Sequence, residues 1–497
     1  VWHGYVVLDK PDGLSDAAWA VALGAIYADL DGSPADPNPA RRLHTAQSGS
    51  RRIVESSFPL DRLHTDRLRE VSGVTPKILP FQVDADRLQS LSLAHQYIKS
   101  NWSWLLMSRV FYPEDYGAVG DGVADDTAAI QAAIDAAEAA SGGIVQLSKT
   151  YNIVPATDFD FGIYTNYRVG LHVNGDNVFI VGPGTIVMRT LPSLGSSKRL
   201  GILMFGNGGG VGATPPGETG TWISNVGCMG VTFDFTEHLK ADLLAISTLG
   251  GVTIGFMYCK EFRCSNNILK NAYTRGGYGS ILTLVSSKFA EISYNNILGC
   301  TNNVMWLDGA RGFVVHGNKI IGEDHNVTQD ISGGGIILAN NTDNDTSGDD
   351  NVFSSNVIIN PKGVGMLIGG LNNIVANNQF RTQTGVNNPL LRLKYGDRTE
   401  DYPCQDCIVT GNLFQRVAGN VSGTAVEFIG ADTGEQGTAV KVTRALFAHN
   451  VINSAWSIGI DLQEQAQDNI IVNNINKAAT PIQTNASATG NVTEPNY

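Results

Sequence analysis

Apolar positions recur with two periods along this chain, and the change between them marks how it is organised. Within the stretch from Phe111 to Ile153, Ile130, Ala133, Ile134 and Ala137 fall at i, i+3, i+4 and i+7, one apolar stripe on an alanine-rich helix. Asp125 and Asp126 stand where an N-cap and first turn belong, their carboxylates placed to accept orphan N–H groups at the positive end of the helix dipole. The helix is therefore expected to begin near Asp126. Gly142 and Gly143 supply a left-handed termination, and Ile144, Val145, Leu147, Tyr151 and Ile153 then read as strand.

From Ile153 onward a different pattern repeats: alternating apolar positions, one or two polar or glycine residues, an asparagine, and an apolar residue again. It appears as FRCSNNI ending at Ile268, ISYNNI at Ile297, FVVHGNKI at Ile320 and VFSSNVI at Ile358, and continues to IIVNNI at Ile475. The asparagines keep time, with 22 residues from Asn296 to Asn318, 22 from Asn356 to Asn378 and 24 from Asn450 to Asn474. This spacing suits one coil of a solenoid, in which short strands meet at a tight turn and asparagine accepts the left-handed conformation. Asparagines stacked at such a turn can bond to one another along it. Longer gaps, such as Asn318 to Asn356, require insertions.

Residues 1–84 read as a separate small α/β domain of order β-α-β-β-α-β. Trp2 to Leu8 is a strand; Ser15 caps a helix with Trp19, Leu23, Ile26 and Leu30 on one face; strands follow at Arg42 to Thr45 and Arg52 to Phe58. A short helix from Thr65 to Ser72 and a strand from Lys77 to Val83 complete it. Residues 85–110 form a helical linker, in which Leu88, Leu91, His95, Ile98, Trp102 and Leu105 recur at threes and fours, either as a trimeric neck or as a helix packed on the solenoid. The solenoid itself is expected over 111–497.

Composition agrees with many short strands: 56 glycines and only 16% charged residues in a chain of 497. The net charge of −13 disfavours nucleic acid, whose binding relies on clustered Lys and Arg. No apolar run reaches spanning length, so membrane insertion is not expected, and no signal peptide is seen. Of six cysteines only Cys404 and Cys407 form a CxxC, without the second pair a zinc ribbon needs. Asp343, Asp345, Asp349 and Asp350 lack the spacing of an EF-hand calcium loop. No metal and no cofactor are expected.

The phrase DYGAVGDGVADDTAAIQAAIDAA, followed by GG and a strand, resembles the leading segment of the pectate-lyase-like superfamily. The resemblance implies a mainly β fold, a right-handed parallel β-helix whose N-terminal end is sealed by a capping helix, here preceded by the small α/β domain. Asp125, Asp126 and the Asp121–Gly122 turn then serve the cap, and chemistry lies several coils further on. The whole arrangement is similar to a bacteriophage tailspike or related virion spike, which implies a homotrimer that binds, and often cleaves, bacterial surface polysaccharide, either capsule or lipopolysaccharide. Residues 1–84 would attach to another virion protein, and the location would be an external spike of the virion.

In a parallel solenoid, equivalent positions stack about 4.8 Å apart. Aligned on the asparagines, the position after the apolar strand becomes Ser286, Asp308, Asn340, Gly369, Lys394, Gly430 and Gln463. Glycoside hydrolysis needs paired carboxyl groups. Asp308 is the best-anchored candidate, with Glu323, Asp324 or Asp343 as partner; as an alternative, Asp308 in LDGARG forms only an Asp-Gly turn. Trp306 and Tyr395 are candidates to stack on sugars, Asn340 to bind polar groups, and Arg311, Arg392 and Lys394 to hold acidic substituents. A lyase would use Arg392, Lys394 and Tyr395 in place of the carboxylate pair. A hydrolase is favoured over a lyase. The alternatives are a non-catalytic glycan-binding adhesin or structural spike, and a cellular polysaccharide hydrolase, lyase or epimerase.

Overall fold

A computed structural model describes residues 4–9, 43–48, 51–56, 109–161, 164–190, 199–206, 222–235, 250–270, 281–284, 287–300, 304–322, 335–339, 348–360, 363–382, 388–394, 404–417, 423–430 and 441–493. The chain divides into two units, Val1–Ser103 and Trp104–Tyr497. In the first, Arg51–Ser56 is the middle strand of an antiparallel sheet, flanked by Gly4–Asp9 and Leu43–Ser48. The short connection pairs Ser48 with Arg51 as a hairpin. The expected helices near residues 15–30 and 65–72, the strand over 77–83 and the segment 85–107 lie outside the described residues.

The second unit is a right-handed parallel β-helix. Among the described residues three long sheets run its length, with 14, 12 and 12 strands, and each coil visits them in the same order. Side chains alternate in and out along each strand, so one register position forms an inward column coil after coil. On the second sheet the column runs Ile186, Phe233, Leu269, Ile297, Ile320, Ile358, Phe380, Phe414 and Ile452, all buried. Identical neighbours stack: the Phe380 and Phe414 rings lie 5.0 Å apart at an interplanar angle of 5°.

The capping helix spans Thr127–Ala139 and buries Ile130, Ala133, Ile134 and Ala137, the stripe read from the sequence. Complete burial of each isoleucine contributes about 1.5–3 kcal/mol. Its start differs in detail from expectation. Asp126 is the N-cap residue, but its carboxylate makes no capping bond; it accepts the Val119 N–H at 2.7 Å and holds the preceding loop. Asp125 instead accepts the Thr127 N–H at 3.0 Å. Asp121 closes the expected turn, accepting from Val123 at 2.7 Å and Ala124 at 2.8 Å. The left-handed residue that ends the helix is Ser141, at φ 64°, ahead of Gly142 at φ 128°.

The corner between the first and second sheets carries an asparagine ladder. Asn267, Asn295, Asn318, Asn356, Asn378, Asn412, Asn450 and Asn474 are buried, and each of the first seven donates from Nδ2 to the Oδ1 of the next at 2.9–3.1 Å. The backbone N–H of the same residue donates to the same oxygen, as for Asn356 to Asn378 at 2.9 Å. The second Nδ2 hydrogen meets a carbonyl of the preceding coil, Val315 in the case of Asn356, at 2.9 Å. Donors and acceptors are thus filled where the side chains are buried. Two expectations are corrected. The ladder residue in its coil is Asn295, not Asn296, and the left-handed conformation belongs to the residue before each ladder asparagine: Asn266, Tyr294, Gly317, Ser355, Asn377, Gly411, His449 and Asn473, all at φ between 56° and 68°. A buried asparagine tied on every side cannot also be the exposed pivot of the turn.

The two positions of one turn are expected to respond oppositely to mutation. Asn356→Ala leaves the Asn318 amide and the Val315 carbonyl unpaired in the core and should cost roughly 2–4 kcal/mol. Asn377→Gly, at the exposed left-handed position, should stay within about 1 kcal/mol of the parent. Thermal and urea melts of the two variants distinguish them, and equal losses would refute the division of labour.

Candidate functional site

The outer face of the third sheet brings together Trp306, Arg392 and Lys394 of the residues that the sequence nominated. Backbone register strings one outward column from coil to coil: His172, Met204, Gly255, Leu282, Trp306, Ile337, Leu367, Arg392, Glu427, Asp461 and Gln483. Its character changes along the axis. Towards the N-terminal end, Tyr167, Val169, Met204, Val252 and Met257 bury one another, with Trp306 packed at their margin. Trp306 also touches the apolar pair Ile337 and Leu367, one and two coils on. From Arg392 the column becomes polar and charged.

There Arg392 holds Glu427 of the next coil, with Nε at 2.9 Å and Nη2 at 2.7 Å from the same carboxylate oxygen. Such a charge-assisted pair fixes both side chains. One coil further, Asp461 is buried and accepts from the Gln463 side-chain amide at 2.9 Å. Glu427 and Asp461 are register partners, so their backbones stand about 4.8 Å apart. That spacing suits the ~5–5.5 Å separation of carboxyl groups in a retaining glycosidase. Neither was among the sequence candidates. Their signal was available: a lone acid between apolar residues in AVEFI and in GIDL, each at an outward position of a strand.

Of the nominated residues, Trp306, Arg392 and Lys394 stand on strands of this sheet. Asp308 ends the strand Met305–Asp308, and its backbone partner is Ala339, so the register here is one residue from that expected, which placed Asn340 beside it. Lys394 likewise pairs with Ile429, not Gly430. Trp306 precedes Arg392 by three coils, about 14 Å, so the two would meet different sugars of one chain. Arg311 lies at the next corner, exposed and 3.5 Å from Asp350. Asp349 is committed to the Leu371 N–H at 2.7 Å. Glu323, Asp324, Asn340, Asp343 and Tyr395 lie outside the described residues. Among the described residues no group of three or more His, Cys, Asp or Glu is placed to hold a metal ion, and no helix is long and apolar enough to cross a membrane. Cys404 and Cys407 are both buried free thiols, their sulfurs 3.5 Å apart.

The outer face of the first sheet is different. Its column runs through Val110, Ile144, Phe179 and Gly227 to Arg263 and Glu291, and continues as Val314, Val352, Ile374, Ile408, Leu446, Ile470 and Val492. Glu291 is ion-paired with Arg263, accepts the Ser293 hydroxyl at 2.7 Å and faces His316 Nε2 at 3.6 Å. Burial alone would raise the Glu291 carboxyl, but His316, Arg263 and Ser293 outweigh it and bring it down to about 2. On the third sheet, burial brings His172 down to about 4, against the opposing effect of the Gly206 carbonyl, to which Nε2–H donates at 2.9 Å.

The sequence profile described as rhamnogalacturonase A/epimerase, pectate lyase-like, matches residues 113–154, the capping segment. Mannuronan C5-epimerase AlgE5 of Azotobacter vinelandii is 49% identical over 71 residues, 14% of this chain and 6% of the relative, so the chain spans only a small fraction of that protein. Two solved structures share the fold. The surface adhesin PfbA of Streptococcus pneumoniae aligns with a TM-score of 0.54 at 17% identity, over 77% of this chain and 97% of its own. A tailspike protein of E. coli bacteriophage HK620, in complex with pentasaccharide, aligns with a TM-score of 0.55 at 15% identity, over 79% of this chain and 66% of its own. The chain is thus a right-handed parallel β-helix similar in fold to a tailspike, with a capping segment that matches a pectate lyase-like profile.

On acid titration the stability of the β-helix should fall in two steps. The unfolded chain protonates its histidine near 6.5, before the folded chain does, so the His172 contribution is whole above 6.5 and lost as pH falls towards 4. Glu291 stays ionised in the folded state down to about 2, so its contribution is whole above the ordinary 4.5 and lost below it. Melting temperature against pH should lose the upper step in His172→Gln and the lower one in Glu291→Gln.

Proposed function

We propose that this protein is a spike that binds bacterial surface polysaccharide along the outer face of its third sheet and cleaves it by retaining hydrolysis. The observation that carries this reading is the run Arg392, Glu427 and Asp461 on three successive coils, downstream of the apolar floor of Trp306, Ile337 and Leu367. An aromatic and apolar floor suits sugar C–H faces, and a fixed carboxylate pair suits glycosidic chemistry. Glu427, oriented by Arg392, attacks the anomeric carbon, while Asp461 protonates the leaving glycosidic oxygen. Water, deprotonated by Asp461, then releases the sugar from Glu427. The pentasaccharide-bound tailspike of the same fold supports a glycan ligand.

A second reading has its own observation. Identity of 49% over 71 residues to a mannuronan C5-epimerase favours a uronic-acid polymer as substrate, with Arg392 and Lys394 pairing with the sugar carboxylate during proton abstraction. Under either reading the N-terminal unit attaches the spike to its virion. The aliphatic column from Val314 to Val492 supports a homotrimer, since seven uncharged outward positions in line, about 29 Å long, are buried by side-by-side association with two further copies.

Purified capsules, lipopolysaccharides and polymannuronate should be assayed for new reducing ends, for unsaturated product by ultraviolet absorbance, and for inverted C5 centres by NMR. The hydrolase reading expects reducing ends alone, with at least a thousandfold loss of rate in Glu427→Gln and in Asp461→Asn. Absorbance or inversion instead establishes the second reading, and binding with no product leaves an adhesin. The mass of the protein in solution should be three chains, reduced to one in Ile374→Lys/Ile408→Lys; a parent already monomeric at micromolar concentration refutes the assembly.

A further inference from the structure

One coil of the β-helix breaks the rule that governs its corners. The positive-φ positions at the two ends of the first sheet are held mostly by glycine and by small or polar residues: Glu261, Gly312, Asp350 and Asn372 at one end, Asn266, Gly317, Ser355 and Asn377 at the other. In the coil between residues 287 and 296, both ends are aromatic. Phe289 has φ 55° and Tyr294 φ 56°, and they are 45% and 56% exposed. A bulky side chain in this conformation is a backbone outlier, and an exposed aromatic gains little from burial. The fold gives no reason to keep two such residues at opposite ends of one strand.

The next coil is built to receive them. Gly312 and Gly317 are the register neighbours of Phe289 and Tyr294, and a β-carbon on either would strike the ring, at 2.9 Å from Phe289 Cδ1 and 2.6 Å from Tyr294 Cε1. Each ring therefore lies across glycine backbone with its other surface open. Tyr294 is further fixed by the His316 ring, 4.7 Å away and nearly perpendicular. Between the rings, on the same outer face, stands Glu291, held from below by the buried Ser293 hydroxyl, with Arg263 one coil before and His316 one coil after. Their mutual bonds fix an array of donors and acceptors before any ligand arrives. The rings are five residues apart, about 16 Å along an extended strand.

We propose that this dish is a second glycan-binding site, distinct from the third-sheet face, in which Phe289 and Tyr294 stack on two sugar residues of one oligosaccharide and the polar strip bonds the residues between them. Open rings backed by protein offer a flat face to sugar C–H groups, and their separation fits a short oligosaccharide rather than a single sugar. The net charge of −13 argues against nucleic acid as the stacked ligand. The site lies at the charged pair of the outward column, one coil before the aliphatic run that starts at Val314.

The test is binding of the full chain to tri- to hexasaccharides prepared from bacterial capsules, lipopolysaccharide and alginate. Phe289→Asn/Tyr294→Asn removes both rings while installing a residue that serves at such corners elsewhere in the β-helix, so folding is preserved. At least one oligosaccharide should bind the double variant tenfold or more weakly than the parent, while the variant melts as the parent does. The proposal is overturned if no oligosaccharide shows that pattern, including the case in which the parent binds none. It is also overturned if the double variant changes the mass of the protein in solution, which would make the rings a contact between copies.

Discussion

Register between coils is the constraint on which everything else in this β-helix depends. A parallel strand of three or four residues has too few hydrogen bonds to specify its own alignment, and a slip of one residue would turn an inward isoleucine out and an outward acid in. The asparagine ladder removes that freedom. Each ladder residue reads the height of the next coil through two bonds to one oxygen and anchors itself to a carbonyl of the coil before. Ladder bonds of 2.9–3.1 Å recur over sequence separations from 22 to 38 residues, so the lock does not depend on the length of what is inserted elsewhere in the coil.

The inward columns and the outward surfaces are two consequences of that lock. Inside, phenylalanine meets phenylalanine and isoleucine meets isoleucine, because like shapes recur at like heights. Outside, the same repetition lets residues distant in sequence form lines of one chemistry: apolar then charged on the third sheet, and a long aliphatic run after one charged pair on the first. Arg392, Glu427 and Asp461 are separated by 35 and 34 residues in sequence and by one coil each in space.

The cap and the coil phases were legible in the sequence because each rests on local chemistry. Ile130, Ala133, Ile134 and Ala137 declare a helix face by spacing alone, and the asparagine phrase declares a corner. The third-sheet register was not legible. Trp306 precedes its ladder asparagine by 12 residues, Arg392 by 20, Glu427 by 23 and Asp461 by 13. Counting from the ladder cannot cross connections of such unequal length, which sets Asn340 and Gly430 one residue out of register and leaves Glu427 and Asp461 without a position. The off-by-one at Asn295 has another cause: in NN pairs either asparagine fits the phrase, and only burial separates the ladder residue from its neighbour.

The ladder also makes a single coil the natural unit of exchange. Its bonds join like to like, so any coil presents the same socket above and the same plug below, whatever its loops carry. Whole coils can be duplicated, deleted or traded between related chains without retuning their neighbours. Insertions between the third sheet and the ladder can likewise diverge without moving the frame. A chain of this design can change the sugar it meets far faster than it changes its shape.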